Sequence, residues 1–339
     1  MIGPATRVAI GRTALSVSRL GFGSTALGGL FQSTSQDDAA QAIAAAWAHG
    51  LRYFDTAPQY GSGLAERRVG EGLRRYARDE FVLSSKVGKL LRPPGSGLAP
   101  TTLFPDALPF DVVFDYSFEG AMRSLEESLA RMGLDRIDIL LIHDVNRRYH
   151  GERVMEMLDA ALGGTCKALA RLRDQGVIGA FGPALNDVDV ALRFAKEGGI
   201  DCVMLPARYT LLDQSAATEL LPVCAAAGIS VLVAAPFDSG ILATGAMPGA
   251  HYNYAAPPPA ILDRVERIAA VCRTFAIPLA AAALQFPLAH PAVASVVTGM
   301  RSAGEVVQNI DFMRVEIPHE FWHALRRGNL LLDAAVVPQ

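Results

Sequence analysis

Residues 51–86 read LRYFDTAPQYGSGLAERRVGEGLRRYARDEFVLSSK. Two short apolar runs, Leu51–Asp55 and Phe81–Lys86, predict strands, and the segment 64–76 between them has the length and amphipathic pattern of a helix. Strands that alternate with helices of ten or more residues are typical of strand–helix–strand units in a parallel sheet. This stretch therefore predicts an α/β protein.

The same alternation extends over the whole chain in both directions. The predicted strands are Val17–Phe22, Leu51–Asp55, Phe81–Lys86, Ile137–His143, Gly179–Pro183, Cys202–Pro206, Ser230–Ala235 and Ala294–Thr298. The predicted helices are 36–49, 64–76, 117–131, 153–175, 187–197, 214–227 and 260–289, the last broken at Pro278. Eight strands and about eight helices indicate a closed (β/α)8 TIM barrel. No Pro- or Ser-rich linker divides the chain, so residues 1–339 are expected to form one domain, with a C-terminal helix over Glu320–Leu332 packed on the barrel.

Two segments rich in Pro and Gly interrupt the repeat. Leu90–Phe114 follows the third predicted strand, and Met247–Pro259 follows the seventh. Both are expected to emerge as long loops on the C-terminal face of the barrel, where loops define substrate pockets. The alternative is that they are tolerated surface loops without a role in binding.

Composition excludes several classes of function. The net charge of the 339-residue chain is −3 and there is no long basic run, which argues against nucleic-acid binding. No apolar stretch is long enough for a membrane span, and the first residues lack the apolar core of a signal peptide. The four cysteines are far apart, which predicts reduced, buried thiols in a cytoplasmic protein. No His, Cys or carboxylate cluster has metal-ligand spacing, so no metal is expected.

A glycine motif offers an alternative fold. Gly21–Ala26, GFGSTA, matches a dinucleotide-binding fingerprint, and Asp55 ends the next strand as a ribose-binding acid would. In that fingerprint the helix starts within the glycine turn. Here the next helix is predicted to start only after Ser35, and the interval to Asp55 is longer than the motif's. The barrel is therefore favoured over a doubly wound sheet.

Four polar residues lie at or just after the ends of predicted strands: Asp55, Tyr60, Lys86 and His143. Each alone has an ordinary structural explanation, such as a helix cap for the aspartate or a core aromatic for the tyrosine. A lysine inside a barrel needs a carboxylate partner, and Asp55 is the candidate for Lys86. Together the four side chains can move a proton at a carbinol or carbonyl oxygen, which suits an enzyme of hydride transfer.

The motifs around these residues resemble the aldo-keto reductase superfamily. DTAPQYG (Asp55–Gly61), SSKVG (Ser84–Gly88) and LLIHD (Leu140–Asp144) carry the resemblance, which extends over nearly the whole chain. GFGSTALGG is similar to the family's first-strand segment, and APFDSGILATG (Ala235–Gly245) and GMRSAGEVVQN (Gly299–Asn309) to its cofactor segments. The run RYTLLDQ and the glycine loops look most like the branch of L-fucose, D-threo-aldose and L-galactose dehydrogenases, with pyridoxal 4-dehydrogenase nearby.

The resemblance implies a role for each of the four residues. Tyr60 would act as general base in oxidation or as general acid in reduction. Lys86 would lower the pKa of the Tyr60 phenol, Asp55 would hold Lys86 in place, and His143 would orient the substrate oxygen. The implied reaction is NAD-dependent oxidation of the C1 hemiacetal hydroxyl of an aldose to a lactone. Alternatives are a pyridoxal 4-dehydrogenase acting on a cyclic hemiacetal, an NADPH-type aldehyde or ketone reductase, and a cofactor-binding regulatory subunit.

The resemblance also implies the cofactor contacts. They are Gly23, Ser24, Thr25, Asn186, Tyr209, Pro236, Phe237, Ser239, Gly240, Leu242, Gly299, Arg301, Glu305, Gln308 and Asn309. Two departures from the family pattern put contacts to the carboxamide group of the nicotinamide in doubt. The Ser-Asn pair after the fifth strand is missing, and Pro206 stands where a glutamine is usual. Tyr209 is either a ring that stacks on the nicotinamide or a core aromatic.

Glu305 stands where relatives that prefer NADP carry an arginine. A carboxylate repels a 2′-phosphate and can accept a hydrogen bond from a ribose hydroxyl. NAD is therefore the expected cofactor, with NADP possible because Arg301 can still bind the phosphate. The sequence does not distinguish a monomer from a homo-oligomer.

Overall fold

The computed structural model describes residues 3–338. The strands, in chain order, are β1 (Arg7–Ala9), β2 (Ser16–Ser18), β3 (Leu20–Gly23), β4 (Tyr53–Asp55), β5 (Val82–Val87), β6 (Lys89–Arg92), β7 (Asp111–Phe114), β8 (Ile139–His143), β9 (Ala180–Ala184), β10 (Cys202–Pro206), β11 (Ser230–Ala234) and β12 (Val293–Gly299). The helices are α1 (Gln36–Ala48), α2 (Leu64–Leu73), α3 (Phe118–Met132), α4 (Arg147–His150), α5 (Val154–Ala160), α6 (Cys166–Asp174), α7 (Val188–Glu197), α8 (Leu220–Ala227), α9 (Ile241–Thr244), α10 (Pro259–Thr274), α11 (Leu279–Gln285), α12 (Ala303–Arg314) and α13 (His319–Arg327).

Eight parallel strands close into a barrel in the order β10-β11-β12-β3-β4-β5-β8-β9. This confirms the predicted (β/α)8 barrel, and each of the eight predicted strands overlaps a strand of the barrel. The helix after β3 begins behind Ser35, whose side chain accepts a hydrogen bond from the Asp38 amide, and not within the glycine turn. The doubly wound alternative is therefore excluded.

The first predicted strand, Val17–Phe22, is in fact two strands. Ser16–Ser18 pairs antiparallel with β1, and only Leu20–Gly23 joins the barrel. The β1–β2 hairpin buries Ile10 and Val17 fully among the interior residues of the barrel. An apolar run cannot show which partner each part of it pairs with, so the sequence did not reveal the break.

The two predicted insertions are structured at the C-terminal face. Leu90–Phe114 is largely framed by the β6–β7 hairpin, and its tip returns to the barrel, where the Leu108 amide donates to the Gly61 carbonyl at 3.1 Å. The Met247–Pro259 segment contacts the loop after β11, because the Tyr254 amide donates to Ser239 Oγ at 3.1 Å. The predicted long loops of this face are thus confirmed in position.

The helical layer differs from the prediction at several places: the short helices α4 and α9 were not predicted, and α13 ends at Arg327 instead of Leu332. The predicted helix 153–175 contains a π-helical turn at Ala161–Thr165, where a Cβ on Gly164 would lie only 2.7 Å from the Tyr116 carbonyl oxygen. The helix α12 was not among the predicted helices, although Ser302 caps it by accepting from the Glu305 amide. The predicted C-terminal helix is present as α13, and it buries Phe321, Trp322 and Leu325.

No single helix of residues 3–338 has the length and apolar character to cross a membrane. Only α10 taken together with Leu279–Ala289 reaches that length and composition, and the two parts are bent by 101°.

Candidate active site

The candidate residues meet because of the alternation of side chains along three neighbouring strands. In β4, β5 and β8 the inward positions begin with apolar Tyr53, Val82, Ile139 and Leu141, which belong to the barrel interior. Successive side chains of a strand point to opposite faces, so residues two positions apart face the same side. The next inward positions are therefore Asp55, Ser84, Lys86 and His143, and the register pairs Asp55 with Ser84 and Lys86 with Leu141.

Lys86 and Asp55 form a buried ion pair at the C-terminal end of this interior, as the sequence predicted for them. The ammonium donates to Asp55 Oδ1 at 3.0 Å, to Asp55 Oδ2 at 2.8 Å and to the Thr56 carbonyl at 2.9 Å. The side chains of Lys86 and Asp55 are 2% and 4% exposed. Ser84 Oγ donates to Asp55 Oδ1 at 2.6 Å and lies 3.1 Å from the Tyr53 hydroxyl. The carboxylate is thus fixed from two sides.

Burial and charge act against each other on Lys86 and on Tyr60. Burial lowers the pKa of Lys86, but Asp55 and Tyr60 together outweigh burial, and that pKa lies above its ordinary value. Burial also raises the pKa of Tyr60, and the opposing effect of Lys86 does not fully offset it. Lys86 therefore lowers the pKa of the phenol, as expected, but burial keeps that pKa above its ordinary value.

Tyr60 is held next to the pair by its loop. Lys86 Nζ lies 4.8 Å from the centroid of the Tyr60 ring, and the rings of Tyr60 and His143 are 6.1 Å apart at 86°. The loop rests on the turn after β3. A Cβ on Gly61, whose φ is +60°, would lie 2.5 Å from the Gly28 carbonyl oxygen. Only glycine allows this contact, so the glycine fixes the height of the phenol above the barrel.

His143 is a neutral imidazole in this site. Burial is the main cause that places its pKa well below 6.5, Lys89 and Lys86 add to the effect, and Asp144 opposes it. His143 Nε2 lies 3.5 Å from Asp144 Oδ2. His143 Nδ1 is buried and has no hydrogen-bond partner within residues 3–338. A neutral imidazole can donate one hydrogen bond to a substrate oxygen, as its proposed orienting role requires.

A second buried lysine, Lys89, lies beside His143 and was missed by the sequence reasoning. It stands at the start of β6, is 1% exposed and donates to the carboxylate of Asp144 and the amide oxygen of Gln59. Its ammonium lies 4.2 Å from the centroid of the Tyr149 ring. The sequence offered one signal for its burial. Lys89 is followed directly by the apolar residues Leu90 and Leu91, whereas we would expect polar neighbours after a lysine at the surface.

The predicted cofactor contacts lie after five neighbouring strands of the barrel, and Tyr209 is the one that follows β10. Within the closed order, β9, β10, β11, β12 and β3 form one arc, and β4, β5 and β8 form the other. The second arc and the loop after β4 carry Asp55, Tyr60, Lys86 and His143, which we call the tetrad. Gly23, Ser24 and Thr25 follow or end β3; Asn186 follows β9; Pro236, Phe237, Ser239, Gly240 and Leu242 follow β11; Gly299, Arg301, Glu305, Gln308 and Asn309 end β12 or lie in and before α12. The structure thus brings these positions to one side of the tetrad.

This arc has features that fit a bound dinucleotide. Ser24 Oγ and Arg301 Nη1 are buried atoms without a hydrogen-bond partner among the described residues. A Cβ on Gly240 would meet no atom within 4 Å, so open space faces this glycine. The backbone amides at the start of α12 add a favourable site for a phosphate. Buried polar atoms without a partner, and an open glycine position in the same arc, are compatible with a polar ligand.

Arg301 and Glu305 are bound to each other. Glu305 Oε2 accepts from the Arg301 amide at 2.9 Å, and Arg301 Nε lies 3.4 Å from Glu305 Oε1. The charge of the guanidinium is therefore largely compensated by the carboxylate that the sequence analysis singled out. Arg301 Nη2 also approaches the Leu30 carbonyl at 3.4 Å.

Two of the expected cofactor contacts have other partners in the structure. Tyr209 is fully buried, donates its hydroxyl proton to the Val336 carbonyl at 3.2 Å and packs against Phe286 and His290. These contacts favour the alternative that Tyr209 is a core aromatic. The side-chain oxygen Oδ1 of Asn186 lies 3.5 Å from Asn146 Nδ2, and the Asn186 backbone carbonyl accepts from Arg208 Nε at 3.0 Å.

The comparisons with known proteins agree with this geometry. The model of the Aldo/keto reductase family matches residues 19–329. Pyridoxal 4-dehydrogenase from Microbacterium luteolum is 39% identical over 333 residues, which cover 95% of this chain and 97% of that protein. D-threo-aldose 1-dehydrogenase from a Pseudomonas species is 40% identical over 333 residues, with coverages of 96% and 98%. The solved holo form of an aldo-keto reductase from Bacillus halodurans superimposes with a TM-score of 0.76 at 26% identity, covering 98% of each chain.

The family match covers all eight strands of the barrel, the four predicted catalytic residues and the predicted cofactor contacts. It confirms the resemblance that the sequence motifs indicated, including the branch, since two of the similar relatives are an aldose dehydrogenase and a pyridoxal dehydrogenase. The chain therefore belongs to the aldo/keto reductase family, whose members are oxidoreductases that act on alcohol or carbonyl groups of small molecules with a nicotinamide cofactor.

Proposed function

We propose that this protein oxidises the C1 hemiacetal hydroxyl of an aldose to a lactone with NAD as the cofactor. The observation that carries the proposal is the group of buried Asp55, Lys86 and His143 with partly buried Tyr60 at the C-terminal end of the barrel. The 40% identical D-threo-aldose 1-dehydrogenase supports the class of substrate.

Each of the four side chains has a task that its surroundings support. Tyr60 takes the proton of the substrate hydroxyl, and Lys86 next to its ring favours the phenolate that does so. Asp55 keeps Lys86 charged and in place. His143, as a neutral imidazole, donates a hydrogen bond to the same oxygen and orients it. A nicotinamide bound along the β9–β3 arc supplies the hydride acceptor.

The preference for NAD follows from the pairing of Glu305 with Arg301. A 2′-phosphate at this place would meet the carboxylate, and the guanidinium that could bind it is already compensated. We expect Glu305→Gln to improve kcat/KM for NADP relative to NAD by about tenfold, since one removed charge repulsion is worth about 1.4 kcal/mol. Asp311→Asn, which removes a carboxylate from an exposed position of the same helix, serves as the control. An advantage of NADP in the unmodified protein would reject the preference.

A cyclic hemiacetal of pyridoxal is the second candidate substrate. It is favoured by the 39% identity to pyridoxal 4-dehydrogenase over nearly the whole chain. Both substrates present a hydroxyl on a hemiacetal carbon, so the same four residues serve either reaction.

The test is the formation of reduced cofactor from NAD or NADP with L-fucose, D-arabinose, L-galactose, L-xylose and pyridoxal. Oxidation of one sugar, lost in Tyr60→Phe while NAD still binds, would support the proposal. Activity with pyridoxal alone would select the second candidate. Reduction of aldehydes or ketones without oxidation of any compound in the panel would refute both candidates and indicate a reductase. Cofactor binding without turnover would indicate a regulatory subunit.

A further inference from the structure

Lys89 forms a second buried ion pair, on the histidine side of the site. Its ammonium is held by the carboxylate of Asp144 and the amide oxygen of Gln59, and it lies over the ring of Tyr149. A buried lysine must be paired to remain charged. Here the partner is not a remote structural carboxylate but the residue that follows His143 in the chain.

The carboxylate of Asp144 is shared between two groups. Its Oδ2 accepts from Lys89 Nζ and lies 3.5 Å from His143 Nε2. Asp144 has a φ of +55°, in the left-handed region that aspartate enters more readily than most residues other than glycine. Its side chain is fixed by Asn146 Nδ2, which donates to Oδ1 at 3.1 Å, and by Lys89. These hydrogen bonds hold the carboxylate beside the imidazole.

A carboxylate at this distance would, if unpaired, attract a proton to the imidazole. An imidazolium there would lie close to Lys86 and Lys89, in a site with little water. Lys89 removes this tendency, because its charge compensates the carboxylate at short range. Asp144 therefore stays near His143 Nε2, while Lys89 compensates its negative charge.

We propose that Lys89 is a positioning residue that engages the Asp144 carboxylate and thereby keeps His143 a neutral hydrogen-bond donor to the substrate oxygen. The inference rests on the proposed function, since it assigns a role in orienting the substrate of that reaction. Only a proton equilibrium is involved, and no bond to carbon forms or breaks. The pKa of His143 agrees with this role, because burial lowers it first and Lys89 lowers it next.

Several charged or titratable groups face the imidazole, and each comes from a different element. They are Tyr60 from the loop after β4, Lys86 from β5, Lys89 from β6 and Asp144 from the loop after β8, with Tyr254 from the loop after β11 facing Tyr60 and Asp144. On the backbone side, the Tyr116 hydroxyl donates to the His143 carbonyl at 2.9 Å and lies 3.1 Å from His150 Nε2. Among these groups only Asp144 favours the charged imidazole.

The experiment follows the protonation of His143 directly. Lys89→Met keeps most of the side-chain volume and removes the charge. Ring signals of the seven histidines in the full-length protein are recorded by NMR against pH, and His143→Gln identifies the signal of interest. We expect the titration midpoint of His143 to rise by about one pH unit or more in Lys89→Met, and kcat/KM for oxidation to gain an acidic limb at the same pH.

Two further variants separate positioning from packing. Lys89→Met with Asp144→Asn removes both charges and should return the midpoint of His143 to its low value, whereas Lys89→Arg should never raise it. If Lys89→Met does not fold, Lys89→Gln takes its place in both comparisons. An unchanged midpoint in the single variant Lys89→Met or Lys89→Gln, or an equally raised one in the double variant, would overturn the inference. The NMR measurement needs no turnover, so a failure of the proposed oxidation would be recognised separately.

Discussion

Asp238 is a buried carboxylate in the loop after β11, and its replacement by asparagine has a calculable effect. It is 2% exposed and accepts a hydrogen bond from Thr210 Oγ1 at 2.6 Å. The threonine hydroxyl itself accepts from the amides of Leu212 and Asp213, each at 3.1 Å, so its proton points to Asp238. An asparagine oxygen can accept the same bond. Asp238→Asn therefore removes a titratable group and keeps the contact.

The magnitude follows from the pKa of Asp238, which burial raises from 3.8 to about 7. The folded protein then holds a proton that the unfolded chain has lost, so stability falls as the pH rises from 3.8 towards 7 and is constant above. Each pH unit between the two pKa values corresponds to about 1.4 kcal/mol, so the ionised carboxylate costs about 4 kcal/mol. Roughly 2 kcal/mol of this cost develops between pH 5.5 and pH 8.5.

The assay is urea unfolding of the ligand-free protein at about pH 5.5 and about pH 8.5, with wild type and Asp238→Asn measured in parallel. The free energy of unfolding of the variant should exceed that of wild type, and the difference should be about 2 kcal/mol larger at the higher pH. Asp263→Asn, on the exposed side of α10, serves as the control and should show no such change with pH. A difference that is the same at both pH values would refute the reasoning, because the carboxylate would then titrate near its ordinary pKa.

Three other substitutions test the construction of the site. Asp55→Asn leaves the Lys86 ammonium unpaired in a buried site, so the free energy of unfolding should fall by about 3–5 kcal/mol. Adding Lys86→Met removes the unpaired charge and should recover most of the loss. A double variant that is no more stable than Asp55→Asn alone would contradict this. Gly61→Ala places a Cβ 2.5 Å from the Gly28 carbonyl oxygen, and the shifted loop should lower kcat/KM by about a hundredfold while NAD still binds; unaltered turnover would speak against the contact. Ser84→Ala removes the 2.6 Å hydrogen bond to Asp55 and should cost about 1–3 kcal/mol in urea unfolding, and a loss of less than about 0.5 kcal/mol would show that the bond is replaced.

The sequence predicted the barrel because its evidence is local. Each strand is a short apolar run and each is followed by an amphipathic helix, so the eight strands could be located one at a time. The pairing of Lys86 with Asp55 was also predictable, since a lysine at the inward end of a barrel strand needs a carboxylate and Asp55 ends the neighbouring predicted strand.

The sequence did not predict features that depend on contacts between distant segments. Lys89 belongs to a short hairpin whose partner strand begins 19 residues after β6 ends, at Asp111. Only that fold turns its ammonium towards Asp144 and Gln59. The surroundings of Tyr209 are equally remote, because its hydroxyl partner is the carbonyl of Val336. In both cases residues near in sequence are silent about the environment of the side chain.

The two buried ion pairs differ in how they act on the residues they adjoin. Asp55 accepts two of the three Lys86 hydrogen bonds, so that pair is closed, and Lys86 acts on Tyr60 by proximity at 4.8 Å from its ring. In the second pair the carboxylate of Asp144 lies 3.5 Å from His143 Nε2, and in our proposal Lys89 acts on His143 by compensating that carboxylate. A positive charge beside the phenol favours its anion, whereas a compensated carboxylate beside the imidazole leaves it neutral. A lysine–aspartate pair thus favours a base at Tyr60, where the lysine lies next to the phenol. The other pair favours a neutral donor at His143, where the aspartate lies next to the imidazole.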